Sequence, residues 1–416
     1  MRAIVVGAGI GGLTAALALR RAGAEVAVFE RAPELTEIGA GISLWVNALR
    51  ALEQVGAGDA ARAAALPVTR TEFRIRRGRT VTASFDMADF ERRYGTAPFV
   101  TMIHRAELVA ALADLLPADT LRFGATCVGV EPGEPDGGRP ATVRFEDGRT
   151  EQASLIVGAD GIRSAVRAAT VDASEPRYAG YTCWRGVCPR PAAVEPGYLA
   201  EWWGRGQRFG ITTLPGDRSY WWATQNAPPR RQAANKGTAG ERAAAAAAFA
   251  DWAEPVPGLI DATPAGAVVR HDILDRPPTR RWTAGRVVLI GDAAHPTTPN
   301  FGQGGCLAIE DGVVLARRLA GCLHGGGAPL RAALDGFVAE RFPRTKAVTN
   351  ESWRFGRIGQ WEGRWVCRAR DAAVKTMLPL IGSRSLPKYA AFDAGPLLPP
   401  GAEPPGAESE GTEPAG

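Results

Sequence analysis

The first thirty residues alternate between apolar runs and glycine breaks. Ala3 to Val6 form a β-branched run, Gly7 to Gly12 a glycine turn, and Leu13 to Arg21 a stretch of helical composition closed by Gly23. Glu25 to Phe29 then reads as a second strand, which completes a βαβ unit. Further on, Arg105 to Leu116 carries apolar residues at helical spacing, and Ala141 to Phe145 and Ala153 to Val157 alternate as strands around the turn Glu146-Asp147-Gly148. Between Tyr178 and Ala227 the chain changes character. Trp184, Trp202, Trp203, Tyr220, Trp221 and Trp222 crowd into a strand-rich stretch without glycine-turn-helix units, which predicts a second lobe. The Ala-rich segment Arg242 to Ala253 is a strong helix former, and the strand Val287 to Ile290 returns the chain to α/β character, so the first domain is discontinuous.

The expected division gives residues 1–70, 99–177 and 270–345 to the first domain and 71–98 with 178–269 to a β-sheet-rich second domain. A helical segment over 346–394 and a disordered tail over 395–416 complete it. The tail is read from Pro399, Pro400, Pro404, Pro405 and Pro414 among Gly and Glu. A chain of 416 residues, 45% of them hydrophobic, is long enough for two such domains.

Charge narrows the partners. The net charge of +5 comes mostly from arginines scattered along the sequence rather than from a basic block, which points away from nucleic acid. Cys127, Cys183, Cys188, Cys306, Cys322 and Cys367 are far apart and form no C-x-x-C pair, so a reduced, cytoplasmic setting is expected. No apolar run reaches the roughly 18 residues of a membrane span. The apolar start is broken by glycines and reads as strand, turn and helix rather than as a signal peptide. No H-E-x-x-H and no Cys/His cluster implies a metal. A monomer or a homodimer is expected.

Three motifs carry chemistry. Gly7-Ala8-Gly9-Ile10-Gly11-Gly12 is a G-x-G-x-x-G between a strand and a helix, with Glu30 at the end of the next strand. Gly7 permits the tight turn, Gly9 lets backbone amides approach a pyrophosphate, and Gly12 lets the helix lie close to the sheet. The helix N-terminus offers free N–H groups to phosphate, and Glu30 would accept hydrogen bonds from ribose hydroxyls. That fingerprint leaves FAD and NAD equally open. Gly158-Ala159-Asp160-Gly161 and Gly291-Asp292-Ala293-Ala294-His295-Pro296 each put an acid at the carboxyl end of an apolar strand, where ligands of open α/β sheets bind.

In these motifs and their order the chain resembles the class A flavoprotein monooxygenases of the para-hydroxybenzoate hydroxylase type. Gly41-Ile42-Ser43-Leu44-Trp45, Arg177-Tyr178-Ala179-Gly180-Tyr181 and the run from Gly302 to Asp311 place it nearest the urate hydroxylase and zeaxanthin epoxidase branch. The resemblance implies an α/β fold: a Rossmann-like FAD-binding domain, a β-sheet-rich substrate domain and C-terminal helices. It implies non-covalent FAD, NADPH or NADH as co-substrate, and transfer of one oxygen atom of O₂ from a flavin C4a-hydroperoxide to an electron-rich aromatic or olefinic small molecule. Asp292 would then bond the ribityl chain, and Asp160 with Gly161 would lie near the pyrophosphate and influence NAD(P)H use. Arg105 would contact FAD through its forked donors. Pro299, Gly302, Gly304 and Gly305 would leave room for the flat ring ahead of the helix Leu307 to Leu319, whose N-terminus stabilises negative charge on reduced flavin. Gly11, Arg31, Ser43 and Cys127 complete the candidate FAD contacts.

On the second lobe Arg208 and Tyr220 match the arginine and tyrosine that hold substrate in urate hydroxylase. As bare residues they fit equally well as a packed pair on a strand face. Cys183 and Asn300 depart from that pattern, where the family member has Asn and Asp, and point away from urate itself. His295 is expected to bond within its loop rather than to act as a base. Three competing readings have less support. A flavin halogenase needs an early lysine, and the first here is Lys236; a disulfide reductase needs a second G-x-G-x-x-G or a C-x-x-C. A flavin oxidoreductase or sensing module without oxygen insertion is the third.

Overall fold

The computed structural model describes residues 1–35, 40–75, 80–95, 98–135, 137–229, 239–323 and 329–397. Its first layer is a six-stranded sheet with Arg2–Val6 at its centre, between Leu155–Gly158 and Glu25–Phe29; beyond these lie Val287–Leu289 and Leu121–Arg122. All of these pairings are parallel, and the edge strand Thr283–Ala284 alone runs antiparallel. The strands read as continuous apolar runs because both faces of the sheet are covered. The first helix, Ile10–Arg21, takes in Gly11 and Gly12, so it begins inside the expected glycine turn.

The strand expected over Ala153 to Val157 is two strands. Thr150–Ala153 joins an antiparallel meander with Ala141–Phe145 and Cys127–Glu131, while Leu155–Gly158 enters the parallel sheet. The Ser154 amide, which donates to Arg2 O at 3.0 Å, marks the switch. Burial supplies the reason: the first strand keeps an exposed side, whereas the second is buried throughout.

The second layer is a seven-stranded sheet in the order Val269–Asp275, Arg177–Pro189, Arg218–Asn226, Gln207–Leu214, Tyr198–Trp203, Arg70–Ile75, Thr80–Asp86. Val269–Asp275 lies wholly in this sheet, although its residues from 270 were expected in the first domain. Parity along each strand sorts the side chains. One face sends Trp184, Trp202, Phe209 and Trp221 into a core with Phe249 and Trp252 beneath the Ala239–Phe249 helix. The other face looks toward the first domain.

A long helix, Leu330–Gly359, runs unbroken across the division expected at 345/346, and Arg364–Ala390 follows it. The expected tail lies from residue 398 outside the described residues. Its first three residues are described, and the last of them is packed rather than free: Leu397 is 3% exposed and its amide donates to Gln54 Oε1 at 3.2 Å, so apolar burial holds it down. Among the described residues no helix is long and apolar enough to cross a membrane.

Helix Ile10–Arg21 crosses Gly304–Leu323 at very close range. A Cβ on Gly312 would sit 2.8 Å from Ala15 N and 3.0 Å from Ala15 Cα, both backbone atoms that cannot step aside. Gly312→Ala should therefore lose about 1–3 kcal/mol in urea unfolding through overpacking. Gly336→Ala, whose Cβ would meet only the flexible Arg318 side chain, nearest at Nη1 at 3.5 Å, should be neutral or gain up to about 1 kcal/mol. Equal midpoints for the two variants would refute the crossing.

Candidate active site

The glycine turn is built around an opening. Gly7 has φ +105°, and a Cβ there would strike Ala159 O at 2.6 Å; a Cβ on Gly12 would sit 2.0 Å from Gly7 O. Gly9 differs from both, because nothing lies within 4 Å of where its Cβ would point. It is also the N-cap of Ile10–Arg21 without a side-chain cap, so the helix presents uncapped amides to open space. Glu30 stands beside the turn, accepting from Ala8 N at 2.8 Å and Ala32 N at 2.9 Å. Arg31 next to it is exposed.

Asp292 and Arg105 face each other across the cleft beyond this turn. Asp292 is accessible to solvent, yet protein encloses it closely enough that burial raises its pKa, with His295 and Arg105 opposing the rise. Among the described residues neither the Asp292 carboxylate nor the exposed Arg105 guanidinium has a side-chain hydrogen-bond partner. An enclosed but wettable acid and base pointing into one space are what a polar ligand with hydroxyl and phosphate groups requires. Asp160 is different in kind. Its carboxylate accepts from Ser164 Oγ at 2.5 Å, Ala165 N at 2.7 Å and Val166 N at 3.2 Å, and so holds the start of the Ala165–Thr170 helix. Gly161, at φ +82°, opens outward beside it. Cys127 lies within electrostatic reach of Asp160, and burial pushes its thiol up to about 11, so it stays protonated at neutral pH.

The loop ahead of the Gly304–Leu323 helix rests on strand Gly41–Trp45. Pro299–Phe301 makes one 3₁₀ turn, and Gly302 follows at φ +62°. Ser43 Oγ donates to Gly302 O at 3.0 Å, and a Cβ on Gly305 would meet Ile42 Cδ1 at 2.6 Å. Gly304 has ordinary space beside Thr297. Beneath the loop lies a buried charge network that sequence reading missed. Asp311 Oδ2 accepts from Gly291 N at 2.9 Å and contacts His295 Nε2 at 2.6 Å, and Oδ1 accepts from Arg341 Nε at 2.6 Å. Burial alone raises the Asp311 pKa, but His295, Arg341 and the Gly291 amide outweigh it and hold the carboxyl at about 2. Glu310 accepts from Arg344 at 2.6 and 2.7 Å and from Asn47 at 2.6 Å. The turn that carries Asp292 is thus braced from behind by a fixed carboxylate.

The sheet face turned to the first domain separates Arg208 from Tyr220. Arg208, 3% exposed, donates to Glu201 Oε1 at 3.0 Å and to Asn300 Oδ1 at 2.6 Å, so it ties the sheet to the loop before Gly302. Tyr220 packs against Gly41, and its near neighbour is Arg185. Arg185, His271 and Trp222 share this face and were not anticipated. The available signal was the two-residue spacing of Tyr181, Cys183 and Arg185, opposite in parity to the inward Trp184.

Comparisons with known proteins fit this geometry. Residues 1–352 match the family model described as FAD binding domain. The chain is 43% identical over 374 residues to aurachin C monooxygenase/isomerase of Stigmatella aurantiaca, covering 90% of this chain and 94% of that protein. It is 34% identical over 387 residues to 2-heptyl-3-hydroxy-4(1H)-quinolone synthase of Pseudomonas aeruginosa, covering 93% and 96%. The crystal structure of Klebsiella pneumoniae HpxO with FAD and uric acid superposes with a TM-score of 0.83 at 31% identity, covering 95% of this chain and 98% of that one.

Two substitutions separate ligand holding from folding. Gly9→Ala points a methyl group into open space, so the FAD-free protein should melt as wild type does while FAD affinity falls about tenfold or more, measured by fluorescence titration. Asp292→Asn should also weaken FAD, yet stabilise the FAD-free protein at neutral pH. A raised carboxyl pKa means that the fold favours the neutral form, so the ionised form at neutral pH costs stability, and that cost vanishes as pH falls and the group protonates. Melting curves showing a gain at neutral pH that shrinks in acid would bear this out; a loss at neutral pH would contradict it.

Proposed function

We propose, for a chain that belongs to the FAD-dependent monooxygenases through its FAD binding domain, that it oxidises a planar nitrogen heteroaromatic substrate with NADH or NADPH and O₂. The protein is a flavin monooxygenase that binds FAD; the nicotinamide, the oxygen and the ring are the proposed part. Supporting the ring class are the quinolone in the name of one relative and the uric acid bound to the structural neighbour. Trp222 supports it from this chain, because its partly exposed indole lies on the sheet face turned to the first domain and offers a ring an apolar surface.

The residues fit the cofactor. When bound, FAD supplies the redox chemistry, carrying electrons from the nicotinamide to O₂ and delivering one oxygen atom to the substrate. The uncapped amides after Gly9 would take the pyrophosphate, and Glu30 the ribose hydroxyls. Asp292 would accept from ribityl hydroxyls and Arg105 would balance its charge. Ser43, Gly302 and Gly305 would fix a flat wall for the ring system, and the first amides of Gly304–Leu323 would favour negative charge beside it. Asp160 contributes by holding the Ala165–Thr170 helix in place behind the turn. The seven-stranded sheet closes the cleft from the other side, excluding water from the reacting atoms and orienting the substrate. The observation that carries this reading is the pair Asp292 and Arg105, accessible, enclosed and without side-chain partners among the described residues.

The test is to load the protein with FAD and follow NADH and NADPH oxidation with 4-hydroxyquinoline, a 2-alkyl-4-quinolone and uric acid, using isotopically heavy O₂. At least one ring should accelerate oxidation about tenfold or more and gain one heavy oxygen atom. If every ring leaves the rate unchanged and none gains oxygen, the heteroaromatic assignment fails.

A further inference from the structure

Arg185, Arg208 and Arg218 lie on the sheet face turned to the first domain, and their surroundings differ: Arg218 is committed to Glu107. Arg208 is committed to Glu201 and Asn300. Arg185 is partly buried, and among the described residues no carboxylate pairs with it and its Nε has no partner. The strand register explains why. Arg185 lies opposite Trp222, Trp222 opposite Gly210, and Gly210 opposite Glu201, so these four form one row across the sheet. The Trp222 indole lies over Gly210, where a Cβ would come within 1.9 Å of it. An aromatic plate therefore stands between Arg185 and the acid of its row.

On the flanking strand Arg185 lies opposite Val269, and His271 lies opposite Cys183. The titratable groups that face the guanidinium are Tyr220, Cys183, Tyr181 and His271. The Cys183 thiol is its hydrogen-bond neighbour. Burial pushes the Tyr220 phenol up to about 12, so it is neutral at physiological pH and supplies no counter-charge. Tyr220 also packs on Gly41, which places this corner beside the strand that supports the Gly302 loop.

We infer that Arg185, with Tyr220 beside it, is the anion-recognising side chain of the substrate pocket, which takes a planar ring carrying an anionic oxygen such as an enolate, phenolate or carboxylate. A half-buried guanidinium without a counter-ion is costly, and its fork of donors matches two acceptor lone pairs on one ligand. Pairing with a cation also favours the ionised form of a ring hydroxyl, which is the electron-rich form that an electrophilic oxygen attacks. The arginine that reads substrate is thus not Arg208 but its counterpart two strands away. This inference rests on the reading that the sheet face closes the substrate cleft, and not on which ring is oxidised.

The test uses FAD-loaded protein titrated with benzoate and with its neutral isostere benzamide, followed by perturbation of the flavin absorbance. Wild type should bind benzoate at least about tenfold more tightly than benzamide. Arg185→Met should weaken benzoate to parity and leave benzamide unchanged, and Arg185→Lys should fall between. Arg208→Met should lower the melting temperature but keep the preference for benzoate. Absence of any anion preference in wild type overturns the inference without recourse to a variant, and so does a preference that survives in Arg185→Met. Benzoate selectivity that depends on Arg185, combined with failure of every heteroaromatic ring to gain oxygen, would leave this inference standing and remove only the proposed substrate.

Discussion

One crossing makes the cleft possible. The N-terminal glycine turn and the acidic turn at Asp292 are far apart in sequence, and they meet because helix Ile10–Arg21 can lie against helix Gly304–Leu323 with only a glycine between backbones. The same contact sets their spacing, since the Ala308 Cβ lies 3.0 Å from where a Cβ would stand on Gly11 and on Gly291. Behind the crossing, Glu310 and Asp311 are buried completely and are neutralised by Arg341 and Arg344. Such a network is a poor source of net stability, because desolvation offsets much of the Coulomb attraction. Its value is geometric. A carboxylate that must satisfy Gly291, His295 and Arg341 together leaves the turn very little freedom, and Asp292 inherits that rigidity.

Much of the first domain was legible because its signals are local. A strand, a glycine turn, a helix and an acid at the end of the next strand fall within thirty residues, and each glycine has a steric reason that the backbone bears out at Gly7 and Gly12. The divided strand near Ser154 was not legible. Its two halves differ only in which sheet receives them, and that depends on partners distant in sequence. The buried pair Glu310 and Asp311 was hidden for a similar reason: two acids within an apolar helix gain meaning only once Arg341 and Arg344, one helix later, are seen to face them.

On the second lobe the tryptophans were legible as a group but not as individuals. Trp184, Trp202 and Trp221 belong to the back core, whereas Trp222 turns toward the cleft, and one position of parity separates the two fates. Arg208 was read from resemblance as a ligand contact; the carboxylate and the amide that occupy it lie in other segments, which no local pattern reveals. Arg185 passed unnoticed because a charge beside a tryptophan in a strand reads as an ordinary exposed residue. Only the cross-strand row shows that its side chain lacks an acid.

The link from Glu201 through Arg208 to Asn300 joins the two lobes by side chains rather than by the path of the backbone. Asn300 is further held by Thr298, by Ser352 O and by Tyr181, so all of its bonding capacity is in use. Replacing Glu201 or Arg208 alone strands a buried charge without its mate, whereas a change at Asn300 leaves Arg208 its carboxylate. Positions 201 and 208 are therefore tied to each other by charge, and Asn300 carries that tie across to the loop of the first domain.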